Sequence, residues 1–121
     1  MDKSGNKIED VEKEIVDINN KFHAKQLLTD TFYKQLIEAG FLYKQCLVIS
    51  IFPDGENTYC GHLIRQDERI FEFDVDLDSS EYSSWKDVTK DFFQIYEKNK
   101  KTKPWLKEVV AYRVFGRLEF D

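Results

Sequence analysis

The chain has 121 residues, 41% hydrophobic and 15% aromatic, with a formal net charge of −5 and a sequence pI of about 5.1. This length and apolar content suit one globular domain over residues 1–121, able to bury roughly two-thirds of its unfolded surface, and exclude a disordered chain. The acidic balance, with no block of Lys or Arg to rival the acidic stretch Glu72–Asp78, disfavours nucleic acid and anionic membrane and favours a basic protein as partner.

Met1 to Glu14 is polar and charged, without the apolar core of a signal peptide. The longest apolar run, Cys46 to Phe52, is interrupted by Ser50 and is too short to cross a bilayer. Two cysteines, Cys46 and Cys60, are too few for a disulfide scaffold or a structural zinc, so reduced thiols and a cytoplasmic location are expected.

Residues 1–7 read as a frayed end. Ile8, Val11, Ile15, Ile18 and Phe22 then recur at steps of three and four, the stripe of an amphipathic helix. The register breaks near Lys25 and Gln26. A second stripe runs through Leu28, Phe32 and Leu36, flanked by Leu27 and Ile37, and stops at Gly40. Two helices, or one bent helix, satisfy the pattern.

Phe41 to Phe52 is rich in β-branched and aromatic residues and ends in the turn Pro53-Asp54-Gly55. A second strand covers about Asn57 to Arg65, Gln66-Asp67-Glu68 makes the next turn, and a third strand begins at Arg69. From Glu72 to Asp78 this strand alternates carboxylate and apolar side chain, the period of a half-buried strand. An antiparallel three-strand meander results.

Centring its second hairpin on Asp67 sets Leu63, Gly61 and Tyr59 against Phe71, Phe73 and Val75. On the opposite face it sets His62, Cys60 and Thr58 against Glu72, Asp74 and Asp76. Centring the first hairpin on Gly55 adds Leu47, Ile49 and Ile51 to the inner face. The outer face then holds Cys46, Val48, Ser50, Phe52, Thr58, Cys60, His62 and Ile64 beside the carboxylates.

Ser83-Ser84 opens the next expected helix, with Ser84 and Asp87 in a capping-box pattern and Trp85, Val88, Phe92 and Ile95 as its stripe. Phe93 and Tyr96 widen the stripe, and the cations from Lys98 to Lys103 suit its end. Pro104 starts a final helix carrying Trp105, Leu106, Val109, Val110, Val114 and Phe115, closed by Gly116. A strand over 109–115 is the alternative. The expected fold is α+β: N-terminal helices, the meander, and two C-terminal helices packed on one face of it, the inner.

Glu72, Asp74, Asp76 and Asp78 form the strongest chemical signal. Like charges ~7 Å apart on one strand face repel, so a basic neighbour, a metal or a basic partner must compensate. Asp74, Asp76 and Asp78 match the opening of a calcium loop, but its sixth and twelfth positions hold Ser79 and Trp85 where glycine and glutamate are needed. No metal and no cofactor is therefore expected.

His62, opposite Glu72 and two residues from Cys60, permits a small enzyme or metal-dependent protein built on His62, Cys60 and the Glu72/Asp74/Asp76 row. Same-face spacing of ~7 Å argues against direct proton transfer along the strand and favours a surface His softening the row. Cys46 and Cys60 lie ~13 Å apart along the sheet and are not expected to form a disulfide.

What remains is a charged row around Val48, Phe52 and Ile64, with Tyr82 just beyond, a surface suited to another protein. The segment from Ile51-Phe52-Pro53-Asp54-Gly55 through Phe71-Glu72-Phe73-Asp74-Val75 and Trp85 to Phe92, about two-thirds of the chain with its flanking elements, resembles the small immunity proteins of bacterial polymorphic-toxin systems. The resemblance implies a non-catalytic antitoxin that binds one cognate toxin and blocks it. Their contact residues differ between families, so the site rests on charge: Glu72, Asp74, Asp76 and Asp78 meet a basic toxin domain, flanked by His62, Phe52 and Tyr82. A monomer or weak homodimer is expected. A structural or regulatory homodimer is the remaining alternative.

Overall fold

The structure, a computed structural model, describes residues 3–118. Helix α1 spans Lys3–His23, so the expected fraying of residues 1–7 falls partly on residues 1–2, outside the described residues. Its stripe is used as anticipated, with Ile15 and Phe22 fully buried. The helix ends in a left-handed turn at Lys25 (φ 57°), where Gln26 N–H bonds Lys21 O at 2.8 Å and Lys25 N–H bonds Phe22 O at 3.1 Å. A separate helix α2 follows, Asp30–Glu38, and Gly40 (φ 96°) stops it in the same way. The register break thus separates two helices.

Four antiparallel strands form the sheet, in the order β1 (Leu47–Pro53), β2 (Thr58–Ile64), β3 (Ile70–Asp76) and β4 (Ser84–Asp87). The class is α+β, with one strand more than the three expected. The β2–β3 register matches the sequence reading at all six anticipated pairs, including His62 with Glu72, Cys60 with Asp74 and Thr58 with Asp76.

The first hairpin differs. Its loop is closed by Asp54 N–H to Thr58 O at 2.9 Å, with Gly55 and Asn57 both at positive φ. That centres the turn one residue later than Gly55, so Ile51 faces Gly61 where Tyr59 was expected. A bulge between Val48 and Ser50 then slips the pairing again. One extra residue reverses every side chain beyond it. Val48 and Cys46, expected outside, enter the inner core, while Leu47 and Ile49 join the opposite face.

The segment expected to open a helix at Ser84 is instead β4, where Trp85 pairs with Phe73 and Lys86 with Glu72. Trp85 and Val88 mimic a helical step, but the indole packs on Phe41 (5.0 Å between ring centroids) and Phe73 (5.7 Å). Helix α3 begins only at Thr89 and runs to Asn99. There the Asp87 carboxylate accepts from Thr89 N–H (2.9 Å) and Oγ1 (2.7 Å). Helix α4 covers Lys107–Phe115, starting after Pro104 and replacing the alternative strand.

Both sheet faces are covered, which corrects the placing of the C-terminal helices. On the inner face α2 and the end of α1 bury Phe22, Phe32, Tyr33 and Leu36 against Val48, Leu63, Phe71, Phe73 and Val75. On the outer face α3 and α4 bury Phe92, Val110, Ala111 and Val114 against Leu47, Ile49, Ile64 and Ile70. The bulge and the Ile64–Ile70 pair make that end of the outer face apolar, and this draws the helices there. Helix α1 supplies both cores, Ile15 to the outer and Phe22 to the inner, lying along edge strand β1. At that edge the buried Asn19 amide bonds Val48 O through Nδ2 (2.8 Å) and accepts from Val48 N–H through Oδ1 (2.7 Å).

Candidate functional site

Beyond the reach of α3, the outer sheet face is open, and the carboxylate alternation of β3 surfaces there. Glu72 and Asp74 are exposed and Asp76 is half-buried. The β2 partners add His62, Cys60 and Thr58, β4 adds Lys86 and Ser84, and β1 adds Ser50 and Phe52. Phe52 is 54% exposed, a large ring on an edge strand beside charge.

Repulsion along the row is eased from both sides. His62 Nε2 lies 3.8 Å from Glu72 Oε2, and Lys86 stands opposite Glu72 on β4. Cys60 stands among these carboxylates: burial raises its thiol pKa first, and the charges of Asp54, Asp74 and Glu72 raise it further. Asp54, from the β1–β2 turn, therefore belongs to the acidic face. Sequence reading placed it in a turn and missed this, because the two hairpins meet only in three dimensions.

His62 is more enclosed than expected. Its ring lies 6.0 Å from that of Phe92 on α3, and Nδ1 is 3.4 Å from Ser50 Oγ. Ser50, His62 and Glu72 thus stand in the order of a hydroxyl–imidazole–carboxylate relay, which sequence reading did not single out. Both separations exceed the ≈ 2.6–3.2 Å at which such groups exchange protons, and Ser50 is only 7% exposed. Cys60, with its raised thiol pKa, is a weak nucleophile. Among the described residues, no three His, Cys, Asp or Glu side chains are grouped so as to hold a metal ion.

Two expected contributors lie elsewhere. β3 ends at Asp76, whose Oδ1 accepts from Asp78 N–H at 2.8 Å, so the chain turns and Asp78 leaves the row. Tyr82 is 76% exposed in a short 3₁₀ turn, Ser80–Tyr82. The adjoining Ser83 donates to Gln35 Oε1 (2.6 Å), and Gln35 Nε2 donates to Asp76 O (2.7 Å). These bonds tie the segment to α2, on the inner side of the sheet. The acidic face accordingly comprises Asp54, Glu72, Asp74 and Asp76, with His62, Cys60, Lys86 and Phe52.

No helix among the described residues is long and apolar enough to cross a membrane. No family model matches the chain, and neither does a curated protein or a solved structure.

Proposed function

We propose that the chain is a non-catalytic binding protein whose acidic outer face holds a basic protein domain, and that this domain is a toxin it neutralises. One observation carries the reading: the β2–β3 register sets Glu72, Asp74 and Asp76 in one row opposite His62, Cys60 and Thr58, on the part of the outer sheet face that leaves Glu72 and Asp74 exposed. Such a row guides a cationic partner to the surface, and Phe52 offers the apolar contact that holds it. The likeness to bacterial immunity proteins supplies the class of partner.

The experiment is calorimetry against the protein encoded immediately upstream, comparing the native chain with an Asp74→Asn/Asp76→Asn double variant. The expected outcome is an unchanged fold with affinity at least about tenfold weaker, and a steeper loss with salt in the native chain. Equal affinities would remove the acidic face from the interaction.

The Ser50–His62–Glu72 order favours a second reading, a small hydrolase. A fluorophosphonate probe separates the two, since labelling that disappears in Ser50→Ala supports hydrolysis and its absence supports binding.

A further inference from the structure

On the helix-covered end of the outer face, a cleft of about 440 Å³ opens between the β2–β3 turn and helices α3 and α4. Ile64, Phe115 and Tyr112 line it, together with Phe93, a ring that is 47% exposed and meets Tyr112 edge-on at 6.5 Å between ring centroids. Glu68 and Arg69 stand at its turn side.

The ionic pairing around this cleft is uneven. Asp67 is taken by Arg65, whose Nε lies 2.9 Å from Oδ1. Arg69 is taken by Asp87, through Nε at 2.9 Å and Nη2 at 2.8 Å. Glu68 alone of these has no ion-pair partner among the described residues. It occupies the left-handed position of the turn (φ 68°), where glycine or asparagine is the easier choice, and its N–H closes the turn on Arg65 O at 2.8 Å. The Glu68 charge reaches the aromatic wall: burial raises the Tyr112 phenol, and the neighbouring Tyr96 and Glu68 raise it further.

We infer that this cleft receives an arginine side chain of the protein partner, its guanidinium stacked on the exposed Phe93 ring, beside Tyr112, which stands nearly perpendicular to it, and paired with the Glu68 carboxylate. A planar cation over one aromatic face with an unspent carboxylate at the rim is the chemistry that arginine meets better than lysine. The volume falls in the range of pockets that hold a small group, and the cleft is open to solvent, so a projecting side chain can enter. The cleft lies on the same side of the sheet as the acidic row, with Phe92 between them: its ring is 6.0 Å from His62 on one side and 6.0 Å from Tyr112 on the other. One basic surface can span both.

This inference rests on the proposed reading of a basic protein partner, and its test is kept separate from it. The ¹⁵N-labelled full chain is titrated with N-acetyl-arginine methylamide and, in parallel, with the neutral isostere N-acetyl-citrulline methylamide, followed by NMR. Saturating shifts at Glu68, Phe93 and Tyr112 with the arginine compound, and binding about fivefold or more weaker with citrulline, are expected. Glu68→Gln should erase that difference, and Phe93→Ala should weaken arginine binding with the fold intact. Equal binding of the two compounds overturns the inference, as do arginine shifts confined to Glu72–Asp76. Should Asp74→Asn/Asp76→Asn weaken the whole partner while Glu68→Gln leaves it unchanged, the acidic face stands and the arginine cleft falls.

Discussion

The side-chain amide of Asn19 pairs with both backbone groups of Val48, its Nδ2 donating to the carbonyl and its Oδ1 accepting from the N–H. A helix residue thereby does for β1 what a fifth strand would do. The bulge that follows Val48 would otherwise leave this part of the edge with unpaired polar groups inside a buried region.

Replacing Asn19 with Leu should therefore cost about 2–4 kcal/mol, since two buried backbone groups lose their partners at once. Asn19→Asp keeps the acceptor, loses the donor and places a charge in the same spot, so it should be no milder. Urea unfolding monitored by Trp fluorescence measures both.

Gly61 admits no substitution. A Cβ built there lies 2.0 Å from Ser50 O and 2.8 Å from Phe73 Cζ, and the carbonyl belongs to a strand that cannot retreat. Gly61→Ala should destabilise by about 3 kcal/mol or more through overpacking. Gly40→Ala is the contrast: nothing stands within 4 Å, and only its left-handed φ of 96° resists, costing about 1–2 kcal/mol. Chemical denaturation of the two variants should rank them in that order.

The sheet alone did not reveal these constraints in the sequence. The β2–β3 register was legible because strict alternation meets a short polar turn, so only one pairing keeps Phe71, Phe73 and Val75 on one side. The bulge in β1 was not, because Leu47-Val48-Ile49 is apolar at every position and both faces of the sheet are covered there. β4 was hidden by its length of four residues and by Trp85, which stands three before Val88, just past the strand, and so imitates a helical step. Of the candidate face, Glu72, Asp74, Asp76 and His62 could be placed from the alternation. Ser50 was placed on it by the first hairpin, whereas Asp54 and Phe92 reach it through tertiary packing, which no local pattern encodes.

Acid should weaken the start of α3. In the folded protein the Thr89 hydroxyl, the Thr89 N–H and then Arg69 hold the Asp87 carboxyl at about 2, against an ordinary 3.8. On acidification the unfolded chain takes up this proton first. The stability the group supplies is complete above about pH 4 and is lost as pH falls through 2. Asp87→Ala should be less stable at neutral pH and lose less between pH 4 and 2. Thermal melts across that interval would show the two curves converging.

The cysteines give a direct readout of the acidic face. Burial pushes the Cys46 thiol to about 12, so it should react with a disulfide reagent only on unfolding. Cys60 is partly accessible, but burial and the neighbouring carboxylates hold its pKa up. It should label slowly at pH 8, and faster in Asp74→Asn because one of those charges is gone. An unaltered rate in the variant would mean that Asp74 does not act on Cys60.

Helix α1 precedes in the chain the strand whose edge it covers. During synthesis from the N-terminus, the shield for β1 is made before β1 itself, and the Asn19 amide is waiting when Val48 emerges. A nascent edge strand is the segment most prone to pair with a neighbouring chain. The order of translation therefore favours shielding of this edge by timing as well as by shape, and a variant without residues 1–24 should assemble through β1 more readily than the full chain.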